Sequence, residues 1–176
     1  MELLQCVQAE PVGMLRFLDS THVKVHAHGA NPAGGQEGQD MGRTKGGLNT
    51  KIHALVDNRG RPASLILGSG EAADVKVAPL LLAGVTAGFV VADKAYDTDS
   101  FRALLDQLGV IPCIPPKTTR NVRLHYATAT YRKRHRVENF FQKLKSYRRV
   151  ATRYDKLAQT YFGFVLFASA LIELTR

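Results

Sequence analysis

In the first part of the chain, apolar and polar positions alternate with the period of two that marks a β-strand. Residues 15–19 (LRFLD) form a short strand-like run that ends at Asp19. Val23, Val25 and Ala27 then alternate with His22, Lys24, His26 and His28, which predicts a strand with one polar face. Residues 51–57 (KIHALVD) and 63–67 (ASLIL) predict strands joined by a hairpin turn at Asn58-Arg59-Gly60. Between these runs, at 29–47, no period survives. Seven of those 19 residues are glycine, so a long flexible loop is expected there. Residues 1–14 show no clear period either and predict a poorly ordered start.

The second part changes period. Asp74 is placed to cap a helix carrying Val77, Leu80, Leu81 and Leu82. Residues 89–92 (FVVA) are continuously apolar, as expected of a buried strand. Thr98 or Asp99 starts a second helix with Phe101, Leu104, Leu105 and Leu108 on one face, and residues 110–114 form a strand closed by Pro115-Pro116. After a basic loop, helices are expected over about 129–150 and 156–174. The order is βββαβαβα. It predicts an α/β domain over 15–176, a mixed sheet with helices on both faces and a C-terminal helix pair.

Composition adds little to this, but charge adds a great deal. The net charge is +9, and residues 117–156 hold thirteen Lys and Arg against only Glu138 and Asp155. The whole excess therefore lies in one block, which favours a polyanionic partner. Cys6 and Cys113 have no metal-ligand spacing and suit a reduced, cytosolic protein. The longest apolar run, 161–172, is 12 residues, short of the roughly 20 that span a bilayer, so no membrane partner is expected.

Within the basic block, Tyr131, Arg134, Glu138 and Lys145 share one stripe of a helix, within about a sixth of its circumference. An acid among phosphate-seeking groups suggests a metal-ligand carboxylate facing a nucleic-acid backbone. Two further acids stand at strand ends, Asp19 after the first strand and Asp93 after the fourth. In an open sheet, ligand sites form beyond the carboxyl ends of the strands. If those strands are neighbours, the two acids meet, and a helix across that edge can deliver Glu138. Three carboxylates suffice for divalent cations that assist phosphoryl transfer. Blander readings exist: Asp19 as a turn residue, Asp93 as a turn cap, Asp97 as a helix N-cap, and Glu138 paired with Arg134.

Other constellations lead nowhere. His22, His26 and His28 lack a fourth metal ligand, and Gly42-Arg43-Thr44-Lys45-Gly46-Gly47 lacks the order of a nucleotide-binding loop. Arg43 and Lys45 are better placed to touch DNA from a mobile loop. Phe140, Phe141 and Leu144 flank the stripe and serve as core.

The same residues carry a family resemblance. Tyr131-x2-Arg134-x3-Glu138-x6-Lys145 resembles the third block of bacterial insertion-sequence transposases, in the insertion-sequence-five-like group. Leu18-Asp19-Ser20-Thr21 and Ala92-Asp93-Lys94-Ala95-Tyr96-Asp97 resemble the first and second blocks. The segments around Arg43-Thr44-Lys45 and Arg148-Arg149 are similar as well. The resemblance implies a ribonuclease-H-like fold and a DDE transposase in which Asp19, Asp93 and Glu138 hold two Mg²⁺ ions, with Mn²⁺ as a substitute. Tyr131, Arg134, Lys145, Arg43, Lys45, Arg148 and Arg149 would contact DNA. The implied chemistry is strand cleavage by water, then attack of the freed 3′ hydroxyl on target DNA, in the bacterial cytoplasm at the nucleoid. A homo-oligomer on DNA and the product of an upstream frame are the implied partners.

The chain departs from its relatives in two ways. The family's N-terminal DNA-binding region is not expected in the short stretch ahead of Asp19, and Asn139 stands where a basic residue is common. Two other readings therefore stay open: a hydrolytic nuclease of the same fold, and a truncated, catalytically idle remnant that binds DNA.

Overall fold

The structure, a computed structural model, describes residues 14–122 and 124–175. The expectation of a poorly ordered start at 1–14 lies outside the described residues except at Met14, whose carbonyl accepts the N–H groups of Gly88 and Phe89. Strand β1 spans Leu15–Val25 without interruption. The two alternating runs read from the sequence are therefore one strand as far as Val25, and Asp19 lies inside it. Thr21 and Val23 continue the inward alternation past Asp19, and pairing with a long partner from Arg16 to Lys24 holds the strand straight.

That partner is β3, Gly47–Asp57, which is buried nearly throughout. Strand β2 (Gly42–Thr44) and strand β4 (Pro62–Ser69) share the outer edge of β3. The segment expected to be a flexible loop is thus partly ordered. It contains a 3-10 turn at Glu37–Gln39 and then β2, which forms a hairpin with β3 whose tight turn uses Gly47 at φ 100°. The other edge of β1 takes β5 (Phe89–Val91) near its start and β7 (Thr152–Arg153) near its end. Strand β6, Ile111–Cys113, lies outside β5. The β4-β3-β1 half is antiparallel, and the β1-β5-β6 half is parallel. This is the mixed α/β sheet that the order of elements in the sequence predicts.

Helices cover both faces. On one side α1 (Asp74–Leu82) and α2 (Asp99–Gln107) bury Leu81, Leu82, Phe101 and Leu105 against Leu18, Leu55 and Val90. Leu80 and Leu108, expected on those apolar faces, are exposed instead. On the other side the helix expected over 129–150 is broken into three: α3 (Thr128–Tyr131), α4 (His135–Ser146) and α5 (Arg148–Ala151). A 3-10 turn at Arg132–Arg134 separates the first two. Tyr147 adopts an extended backbone and separates the last two, while the Ser146 hydroxyl donates to the Lys143 carbonyl at 2.7 Å. Helix α6, Ala158–Leu174, completes this layer. Val137, Phe140, Phe141 and Leu144 of α4 pack with Tyr161, Val165 and Ile172 of α6 over Phe17, Ile52 and Val56. Phe140 is 1% exposed, so its loss to alanine would cost roughly 3–5 kcal/mol. Among the described residues, no helix is long and apolar enough to cross a membrane.

Candidate active site

Strand β5 ends at Val91, paired with Phe17, and leaves the rest of that β1 edge open until β7. Asp19 and Asp93 lie two residues beyond that last pair, on the face turned towards α4. The adjacency required by the sequence reading is thus met, through strand pairing rather than strand ends alone. Asp93 also does the blander job: its Oδ1 accepts from the Ala95 N–H at 2.8 Å and caps a 3-10 turn over Lys94–Tyr96.

Helix α4 delivers the third acid. Arg134 Nη1 donates to Asp19 Oδ2 at 2.6 Å, and Arg134 Nη2 donates to Glu138 Oε1. One guanidinium therefore clasps carboxylates from β1 and α4. Although burial works against its charge, Asp19 and Glu138 hold Arg134 in the charged form. The i, i+4 pairing weighed from the sequence is real, and it extends to Asp19.

Asp19 itself is poorly compensated. Burial raises its pKa above the usual carboxylate value, against the Ser20 N–H bond and the charge of Arg134, and the charge of Asp93 raises it further. Asp19, Asp93 and Glu138 offer only oxygen, the donor type that Mg²⁺ and Mn²⁺ take. Among the described residues no three His, Cys, Asp or Glu stand together as a ready ion site. An ion needs only one or two carboxylates, and in this arrangement the Arg134 guanidinium occupies the place between Asp19 and Glu138.

The proposed DNA contacts divide. Tyr131 is partly buried beside Arg134 and Asp93, its ring edge-on to Tyr126 at 5.5 Å, and burial raises its phenol pKa. Lys145 Nζ donates to the His22 carbonyl at 2.8 Å, and burial lowers its pKa. Arg43 and Lys45 stand exposed on the β2–β3 hairpin, not on a loop without structure, and Arg148 is exposed on α5. Arg149 instead turns to α6: its guanidinium lies 4.1 Å over the Phe164 ring and bonds Asp155 at 2.8 Å. Its side chain nonetheless remains 57% exposed.

His26 and His28 meet edge-on at 4.6 Å just past the end of β1, where His26 also lies against Tyr154, whereas His22 contacts the Gly70 carbonyl at 3.1 Å. Several polar groups escaped the sequence reading. Asp74 caps nothing with its side chain; it pairs with the buried Lys51 at 2.9 Å and lies 3.8 Å from His53, whose ring burial pushes down to about 4. Asp97 is not an N-cap, since Thr98 fills that role. Its carboxylate takes Arg102, Arg120 and the Lys117 N–H. Partners up to 23 residues away leave no periodic signal in a sequence.

Residues 11–172 match the family described as Transposase DDE domain. A Brucella ovis protein, assigned by name to the transposase of insertion sequence element IS6501, is 39% identical over 129 residues, or 72% of this chain and 99% of that one. A solved structure, the catalytic core domain of BIV integrase, aligns with 90% of this chain and 79% of its own at 17% identity, with a TM-score of 0.48. With a family match over nearly its whole length and a relative of that identity, the chain belongs to the transposase DDE domain family.

Proposed function

We propose that this chain cuts and joins DNA strands during transposition of an insertion sequence, with Asp19, Asp93 and Glu138 as its reacting-centre acids. The observation that carries the reading is the meeting of Asp19 and Asp93 at the open edge of β1, with Glu138 drawn to Asp19 through Arg134. Divalent cations held by these acids would polarise the scissile phosphate and activate the attacking oxygen. The chain's own groups do the rest. The carboxylates fix the positions of those charges, Asp19 partly buried and Glu138 exposed to the incoming substrate. Arg134 and Tyr131 line the approach, and Lys145 places a cation at the open half of β1, where a phosphate backbone would run. Arg43, Lys45 and Arg148 extend the positive surface. Arg149, more than half exposed although it rests on the Phe164 ring, adds to that surface. Assembly as a homo-oligomer on DNA, or with the product of an upstream frame, would accompany this chemistry.

The test is to incubate the chain with pre-cut transposon-end DNA and plasmid, in Mg²⁺ or Mn²⁺, beside Asp93→Asn. Metal-dependent joined products missing from the variant are expected. Cleavage without joining would mark a hydrolytic nuclease, and binding without either product a catalytically idle remnant.

A further inference from the structure

Arg134 holds a position that the proposed chemistry would need for something else. Its two terminal nitrogens go to different acids, Asp19 on β1 and Glu138 on α4, so a single positive charge lies between two of the three carboxylates. A divalent ion entering between the same oxygens meets that charge at close range. The repulsion cannot be relieved by deprotonation, because a guanidinium keeps its proton. Arg134 must therefore release at least one acid before the ion can take it. The backbone allows this, since Arg134 ends the 3-10 turn between α3 and α4, where the regular helical bonding is interrupted. Its side chain is also only partly buried, at 22% exposure, so it can swing outward without crossing packed core. A freed guanidinium needs another anion, and DNA laid over this basic face supplies phosphates of the geometry arginine prefers.

We propose that Arg134 is a displaceable internal counter-cation, which clasps Asp19 and Glu138 in the ion-free protein and passes to a DNA phosphate as a divalent ion takes its place. This rests on the DNA-processing reading above and adds a regulatory consequence to it. DNA and the ion favour each other's binding, because each draws on the same exchange. The ion-free protein keeps Asp19 and Glu138 clasped by one shared charge, and the site is loaded when substrate arrives.

The experiment is calorimetric titration of Mn²⁺ into the full chain at fixed salt, alone and with a duplex oligonucleotide. Wild type is expected to bind Mn²⁺ at least about fivefold tighter on DNA. Arg134→Ala is expected to bind Mn²⁺ several-fold tighter than wild type without DNA and to lose most of the enhancement by DNA. Arg134→Gln, closer in shape, should behave alike and serves if the alanine variant folds poorly. Arg134→Lys, which cannot span both acids, should fall between. An Arg134→Ala or Arg134→Gln protein that binds Mn²⁺ no tighter than wild type, or keeps the full enhancement by DNA, overturns the proposal. Asp19→Asn and Glu138→Gln separate the two levels. If neither weakens Mn²⁺ binding in the arginine-intact chain, the acid assignment has failed, and not merely the exchange.

Discussion

Asp19 and Asp97 are both carboxylates beside arginine on the same sheet scaffold, yet their electrostatics are opposite. Asp97 is buried, but Arg120, the Lys117 N–H and Arg102 all bond to it, and together they overcome burial and hold its pKa at about 2. Asp19 has one backbone N–H and one arginine shared with Glu138, with Asp93 pressing against it, so burial wins and its pKa rises. The difference teaches what each acid is for. Asp97 is saturated and ties the basic segment around Lys117 and Arg120 to the start of α2. Asp19, with fewer partners, suits the ligand-holding role proposed for it.

Substitutions should separate the two regions sharply. Glu138→Gln is expected to lower single-turnover cleavage on the order of a thousandfold or more, while DNA affinity by fluorescence anisotropy stays equal or rises. Retained cleavage would remove Glu138 from the reacting centre. Asp97→Asn should do the reverse. It leaves two arginines short of their partner and should cost roughly 3 kcal/mol in urea unfolding, with activity kept in the folded fraction. A loss below the range of an ordinary surface substitution would mean the Asp97 cluster is not an anchor.

The same comparison sets a pH dependence. The folded pKa of Asp97 lies below its ordinary value of 3.8, so its stabilisation is present above that value and lost as pH falls towards about 2. Urea unfolding at pH 5, 3.5 and 2.5 should show the wild type losing stability faster than Asp97→Asn across that window. Parallel acid limbs would contradict the assignment. The smallest effect concerns Lys145, already bonded to the His22 carbonyl. Lys145→Ala should weaken DNA binding a few-fold and reduce the salt slope by about one, without changing stability in urea.

How much of this was legible in the sequence follows from the range of each interaction. The strand alternation around Phe17 and Val23 and the apolar run 89–92 exposed the sheet, because burial on a face writes itself into local period. Asp19 and Asp93 could be placed together only on the condition that the first and fourth strands adjoin, a condition that the parallel pairing of β1 with β5 meets. Glu138 was found through its spacing from Arg134 and Lys145, although the helix breaks at Arg132–Arg134 and at Tyr147. Those breaks were hidden because the dense run of Lys and Arg has no apolar period to interrupt. Strand β2 was hidden by glycines that serve its turn. The partners of Asp74 and Asp97 were hidden because they lie on other elements, brought near only by the finished fold.

The most direct test of the central claim locates the ion without relying on catalysis. Fe²⁺ in place of Mg²⁺, with ascorbate and peroxide, cuts the polypeptide beside the bound metal. Cuts are expected in β1 around Asp19, just after β5 around Asp93, and in α4 around Glu138, all suppressed by excess Mg²⁺ and by Asp93→Asn. Cuts centred on Asp97 and Asp99, or a pattern indifferent to Mg²⁺, would contradict that claim.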